Sequence, residues 1–218
     1  MINAYVKFLM EVFMTNRKII GLILLIASPL SMLCWFLTPG SSADQADTMA
    51  MIMAAGQDPD GMKLWGLLAM VCTIFYVTAF TRWAKHLESE SLGALASVGR
   101  LHMKVGLAVA IGQVVFMGVS AKAASAGATQ MTSAAEYWGA SIGFGSAGLG
   151  IMFLGTAVIS IVALLQKVGN PIILGGLAVV SLVGVYGCAF DYSGDIMMVP
   201  YMGSVLFFMA LGATLLRD

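Results

Sequence analysis

Apolar residues in this chain come in long blocks rather than at alternating or isolated positions. Six blocks, about 19–37, 63–80, 105–121, 139–165, 171–190 and 197–216, contain almost no charged residue. A helix needs about 20 such residues to cross the hydrocarbon core of a bilayer, where backbone amides find partners only within the helix itself. The pattern predicts an all-α fold, a polytopic transmembrane bundle of about six spans forming a single domain over 19–216. Ahead of it, residues 1–18 put Asn3, Lys7, Glu11 and Thr15 on one stripe, with Ile2, Tyr5, Val6, Leu9, Val12 and Phe13 filling the other face. That periodicity predicts an amphipathic helix lying in the membrane interface.

The connections differ in character. Residues 41–61 carry Asp44, Asp47, Asp58 and Asp60 with no basic residue, so the segment belongs in water. Within it, Thr48 to Gly56 predicts a short amphipathic helix ended by its glycine, and Asp58-Pro59-Asp60-Gly61 predicts a turn. The next connection, 81–104, is charged and basic, whereas 122–136 is rich in Ala, Ser and Gly, with Tyr137 and Trp138 placed to anchor the span that follows. Trp65 and Trp83 bracket the second span about 27 Å apart along a helix axis, close to one hydrocarbon thickness. Gly169-Asn170-Pro171 predicts a tight turn that makes spans four and five an antiparallel hairpin.

Composition excludes the soluble classes. Of 218 residues, 60% are hydrophobic and 10% charged, against roughly a quarter charged in soluble domains, and the mean hydropathy is +0.92. The net charge of zero and the scatter of the cations exclude a nucleic-acid footprint. Nine of the eleven Lys and Arg (Lys7, Arg17, Lys18, Arg82, Lys85, Arg100, Lys104, Lys167, Arg217) fall at one end of the predicted spans, leaving only Lys63 and Lys122 at the other. The positive-inside rule then predicts both termini on the cytoplasmic side of the membrane. Ser41-Ser42-Ala43 after the first block offers small residues to a signal peptidase. That block is of spanning length, longer than the roughly 7–15 residues of a signal core, so it reads as the first membrane helix.

Few groups suggest chemistry. Cys34, Cys72 and Cys188 lie in apolar runs, where a free thiol acts as a small hydrophobe. His86 and His102 sit in the basic connection without the spacing of a metal pair. Gly143-Phe-Gly145-Ser-Ala-Gly148 matches a dinucleotide fingerprint only in letters, since it lies inside an apolar block instead of after a strand. Met49, Met51 and Met53 are soft potential ligands for Cu(I), with Met131, Met197, Met198 and Met202 placed toward the same side. A spacing of two scatters the string around a helix, so no metal site and no cofactor are predicted. A lipid held by apolar walls alone remains compatible with this composition.

Helix association in lipid relies on close packing through small residues and on a few polar side chains. Gly139, Gly143 and Ala147 recur every fourth residue, with Gly155 further along, and Gly176 and Gly184 recur in span five; these are the candidate residues for helix packing or a partner interface. Gln113 is the most polar side chain predicted at mid-membrane depth, and Asp191 and Asp195 are candidates for a polar site at the outer rim. Proton- and ion-coupled transporters keep ionisable side chains inside the membrane; these spans do not.

Arg17-Lys-Ile-Ile-Gly-Leu-Ile-Leu-Leu-Ile opening the first span, the Ala46–Ala55 outer helix, the basic second connection and the Gly169-Asn-Pro turn form a layout that resembles a loose group of six-helix bacterial integral membrane proteins known only as a domain of unknown function. The resemblance implies architecture and transfers no site residue. The expected function is non-enzymatic, as an accessory or structural subunit of a membrane complex or as a homo-oligomer, with the lipid bilayer and other membrane subunits or self-association as partners and no nucleic acid. The alternative is a transporter or channel for a small neutral or apolar solute.

Overall fold

The computed structural model describes residues 2–40 and 47–217, with side chains from residue 16 onward; the predicted polar stripe at Asn3, Lys7, Glu11 and Thr15 and the acid at Asp44 lie outside the described side chains. Among the described residues the chain is all-helical, with seven α-helices and no strand: α1 (Ile2–Phe36), α2 (Thr48–Gln57), α3 (Pro59–Ala84), α4 (Gly93–Ser125), α5 (Met131–Leu165), α6 (Pro171–Phe190) and α7 (Met198–Arg217). Six of them, all except α2, include segments long and apolar enough to cross a membrane. They close into a ring in which each long helix packs on the next, α1 on α3, α3 on α4, and so on to α7, which returns to α1.

Several boundaries differ from those the charge pattern suggests, because charge marks where water begins and not where a helix begins. The interfacial segment 1–18 is not a separate helix: α1 runs unbroken from Ile2 through Arg17 and Lys18, since no Gly or Pro precedes Gly21. The connection 81–104 shrinks to a 3-10 turn, Lys85–Ser89, and three further residues, so Arg100, His102 and Lys104 already belong to α4. Gly56 does not end α2; it lies inside the helix, where an added Cβ would sit 2.8 Å from the Cβ of Ala124. Asp58-Pro59-Asp60-Gly61 starts a helix. Asp58 is the N-cap of α3, its carboxylate accepting from Gly61 N at 2.9 Å, and Pro59 occupies the first helical position, where its missing N–H costs nothing.

The hairpin α5–α6 is as tight as its Gly-Asn-Pro turn predicts. Val168 N bonds to Ala163 O at 2.9 Å and Lys167 N to Leu164 O at 3.1 Å, a Schellman closure with Lys167 at the left-handed position (φ 57°). Asn170 then caps α6, its side chain accepting from Ile172 N and Ile173 N.

The helices are more unequal in length than the apolar blocks suggest. At 1.5 Å per residue, α6 and α7 are each about 30 Å long, one hydrocarbon core, whereas α4 and α5 reach about 50 Å. At the basic end Gln166 Nε2, just past α5, donates to Leu87 O of the 3-10 turn at 3.2 Å. Tyr192 of the α6–α7 turn sits beside Gln113 and Gly145, so the run of α4 from Gln113 to Ser125 projects about 18 Å past that turn at the opposite end. There α2 and the start of α3 cover it, burying Met51, Ile52, Met62 and Trp138 in a second small core.

Candidate functional site

A very close helix contact uses Gly155 from the four-residue row together with Gly99, Gly106 and Gly148, which the row does not single out. Gly99 and Gly106 on α4 meet Gly155 and Gly148 on antiparallel α5: a Cβ at Gly155 would lie 2.5 Å from Gly99 O, and one at Gly106 would lie 2.5 Å from Gly148 O. Both pairs are spaced by seven residues, two helical turns, and that shared spacing is the signal a sequence search for matched glycine pairs would find. Gly139 and Gly143, by contrast, face outward with nothing within 4 Å of an added Cβ, and Ala147 is exposed. A row of fourth residues drifts about 40° per step, so Gly155 points about 160° away from Gly139. Gly184 packs against the Phe153 ring of α5, while Gly176 packs against Phe207 of α7 and so does not join the contact between spans four and five.

Most hydroxyls inside the bundle donate to a carbonyl of their own helix, as Ser28 does to Leu24 O and Thr156 to Met152 O, and a few cross to a neighbour. Ser31 Oγ of α1 reaches Ala69 O at 3.0 Å and Thr73 Oγ1 at 2.8 Å on α3. Gln113 belongs to a cluster that its neighbours in sequence do not reveal. Tyr192, from the α6–α7 turn, inserts its hydroxyl beside Gln113 and Tyr201, over Gly145, the one backbone position there without a Cβ to block it. Ser146 Oγ donates to Cys188 O at 2.8 Å alongside. Nothing in the sequence sets Tyr192 and Tyr201 apart, so only folding shows that they meet at this end of the bundle. Asp191 and Asp195 stay exposed at the surface of the same turn.

Burial pushes the Tyr192 phenol up to about 12, against the smaller lowering effect of its hydrogen bonds to Tyr201 and Gln113. An acid whose pKa is raised on folding contributes stability that is complete below its unfolded value, near 10, and is lost as pH climbs toward 12. Alkaline titration is therefore expected to destabilise the wild type between pH 10 and 12 more steeply than Tyr192→Phe. Tyrosinate absorbance recorded alongside helical circular dichroism checks this, and parallel curves would refute it.

At the basic end the ring opens into a recess of ≈ 1160 Å³. Its floor is apolar, formed by Ile20, Trp83, Leu211 and Leu215, and its walls carry the hydroxyls of Thr78, Thr81 and Thr214. Arg82 from α3, Lys85 from the 3-10 turn, and Arg100 and Lys104 from α4 line it, together with Arg17 and His86; no Asp or Glu is among its described lining residues. Glu88 pairs with Arg100 through Nη1 from just outside. Below the floor the axis is filled: Phe80, fully buried, meets Phe208 edge-on at a ring separation of 5.0 Å, and Tyr76 lies 5.3 Å from Phe208.

Among the described residues no group of His, Cys, Asp and Glu is arranged to hold a metal ion. Met51 packs inward while Met49 and Met53 are exposed, so the methionine string does not converge. Compared with protein-family models, curated proteins and solved structures, the chain matches none of them. The resemblance in layout therefore stays one of architecture.

Proposed function

We propose that this chain is a multi-pass protein of a bacterial inner membrane, with both termini cytoplasmic, that works through contacts and not through catalysis, as an accessory or structural subunit of a membrane complex or as a homo-oligomer. The observation that carries this reading is the projecting α4–α5 hairpin. At and beyond the level where α6 turns into α7, it exposes Val115 (56%), Val119 (40%), Tyr137 (37%) and Phe144 (40%), beside the open Gly139 and Gly143. Exposed apolar side chains next to helix faces free of Cβ atoms, where another helix can approach closely, favour packing against another chain. The basic recess at the opposite end supports a cytoplasmic placement of that end, and the surrounding bilayer is the first partner, with lipid the one bound molecule the reading needs.

A transporter or channel for a small neutral or apolar solute is the weaker reading. The Phe80–Phe208–Tyr76 stack closes the axis, and the large recess is ringed by cations that suit neither solute.

Blue-native electrophoresis of mildly solubilised membranes is expected to show the chain in a species larger than the monomer, and Phe144→Glu on the hairpin to shift it toward monomer. Migration as a lone monomer in both cases overturns the proposal. Reporter fusions at the two termini are expected to signal from the same, cytoplasmic, side.

A further inference from the structure

We infer that the recess at the basic end is a binding site for a phosphate-bearing anion. Cations scattered over cytoplasmic loops need no ligand, because water and headgroups solvate them; here the fold gathers them instead. Residues 82, 85, 100 and 104 come from three different elements, yet all line one concavity. Its volume of ≈ 1160 Å³ is somewhat above the roughly 300–1,000 Å³ usual for small-molecule sites.

Arg100 supplies the second, independent observation. Its Nη1 is held by Glu88, which fixes the guanidinium at the recess wall. Its Nε is buried and has no hydrogen-bond acceptor in the protein. An N–H enclosed without an acceptor is costly, so a small shift of Arg100 that brings an anion's oxygen to Nε is favoured, and arginine binds phosphate oxygens in pairs. Among the described residues Arg82, Lys85 and Lys104 make no ion pair, so their charges are available to the same anion. The apolar floor and threonine walls match a ligand with more to it than the anion, either the headgroup region of a phospholipid or a soluble phosphorylated compound.

The test uses the full-length protein in maltoside micelles, with apparent Tm as the readout. One arm adds pyrophosphate against sodium chloride at equal ionic strength, and the other dopes the micelles with phosphatidylglycerol against phosphatidylcholine. A rise with phosphatidylglycerol alone assigns the site to a lipid headgroup, and a rise with pyrophosphate assigns it to a soluble phosphate; either supports the inference. Arg82→Gln and Lys104→Gln, both at exposed positions outside the core, are expected to weaken the effective probe about fivefold per charge removed. Exposed Lys18→Gln, which does not line the recess, is expected to leave binding unchanged. No rise with either probe, a rise matched by chloride or phosphatidylcholine, or equal weakening by Lys18→Gln overturns it.

Discussion

Gly148→Ala is expected to lower the apparent Tm of the detergent-solubilised protein by several degrees, while Gly143→Ala, five residues earlier on the same helix, leaves it unchanged or slightly raised. At Gly148 the new Cβ would lie 2.5 Å from Ala110 N and 2.8 Å from Gly106 O. Both are backbone atoms of α4, which cannot swing aside as a side chain can, so the two helices must separate along their tightest contact. Overpacking of this kind costs about 1–3 kcal/mol, or roughly 2–4 °C per kcal/mol in a chain of this size. At Gly143 the Cβ meets nothing within 4 Å, and replacing a helical glycine by alanine on its own stabilises by roughly 0.5–1 kcal/mol. Thermal unfolding of the two variants side by side decides the matter. Equal behaviour would mean that the faces of α5 are assigned the wrong way round.

Phe208→Ala is expected to destabilise by about 3–5 kcal/mol, the range for losing a buried aromatic, whereas Phe190→Ala has little effect. Phe208 is 4% exposed and touches the rings of both Phe80 and Tyr76, so its removal empties the point where α3 and α7 meet across the ring. Phe190 is 77% exposed at the end of α6. Because the Phe80–Phe208 pair lies beneath the basic recess, the same substitution is also expected to deepen that recess. A phosphate effect that survives in Phe208→Ala would place the anion at the rim, among the cations, and not against the aromatic floor.

The projecting hairpin gives these two ends of the molecule different characters. The basic end is concave, and its groups suit an anion. The opposite end is stepped, with α6 and α7 turning back early, while α4 and α5 continue beneath α2 and show apolar side chains to whatever lies beside them. The Tyr192 cluster sits at that step, tying the short α6–α7 turn to the mid-length of α4 and α5 through Gln113 and the Cβ-free surface of Gly145.

The helical class, the six spanning stretches and the gathering of cations at one end follow from the sequence by itself. Each rests on the amino acids' own partition between water and hydrocarbon, a property that needs no knowledge of neighbours. Local capping is legible too, once read as chemistry: Asp47 accepts from Ala50 N at 3.0 Å, and Asp58 and Asn170 cap the helices that follow them. What only the tertiary structure decided is which faces meet. A glycine permits close approach but does not choose a partner, so Gly139 and Gly148 look alike along the chain, while one opens outward and the other lies against the backbone of α4. The meeting of Tyr192 with Gln113, separated by nearly eighty residues, and the convergence of Arg82, Lys85, Arg100 and Lys104 on one recess likewise depend on helix order and length around the ring. Distances between side chains on different helices are set by packing, and packing is a property of the folded whole.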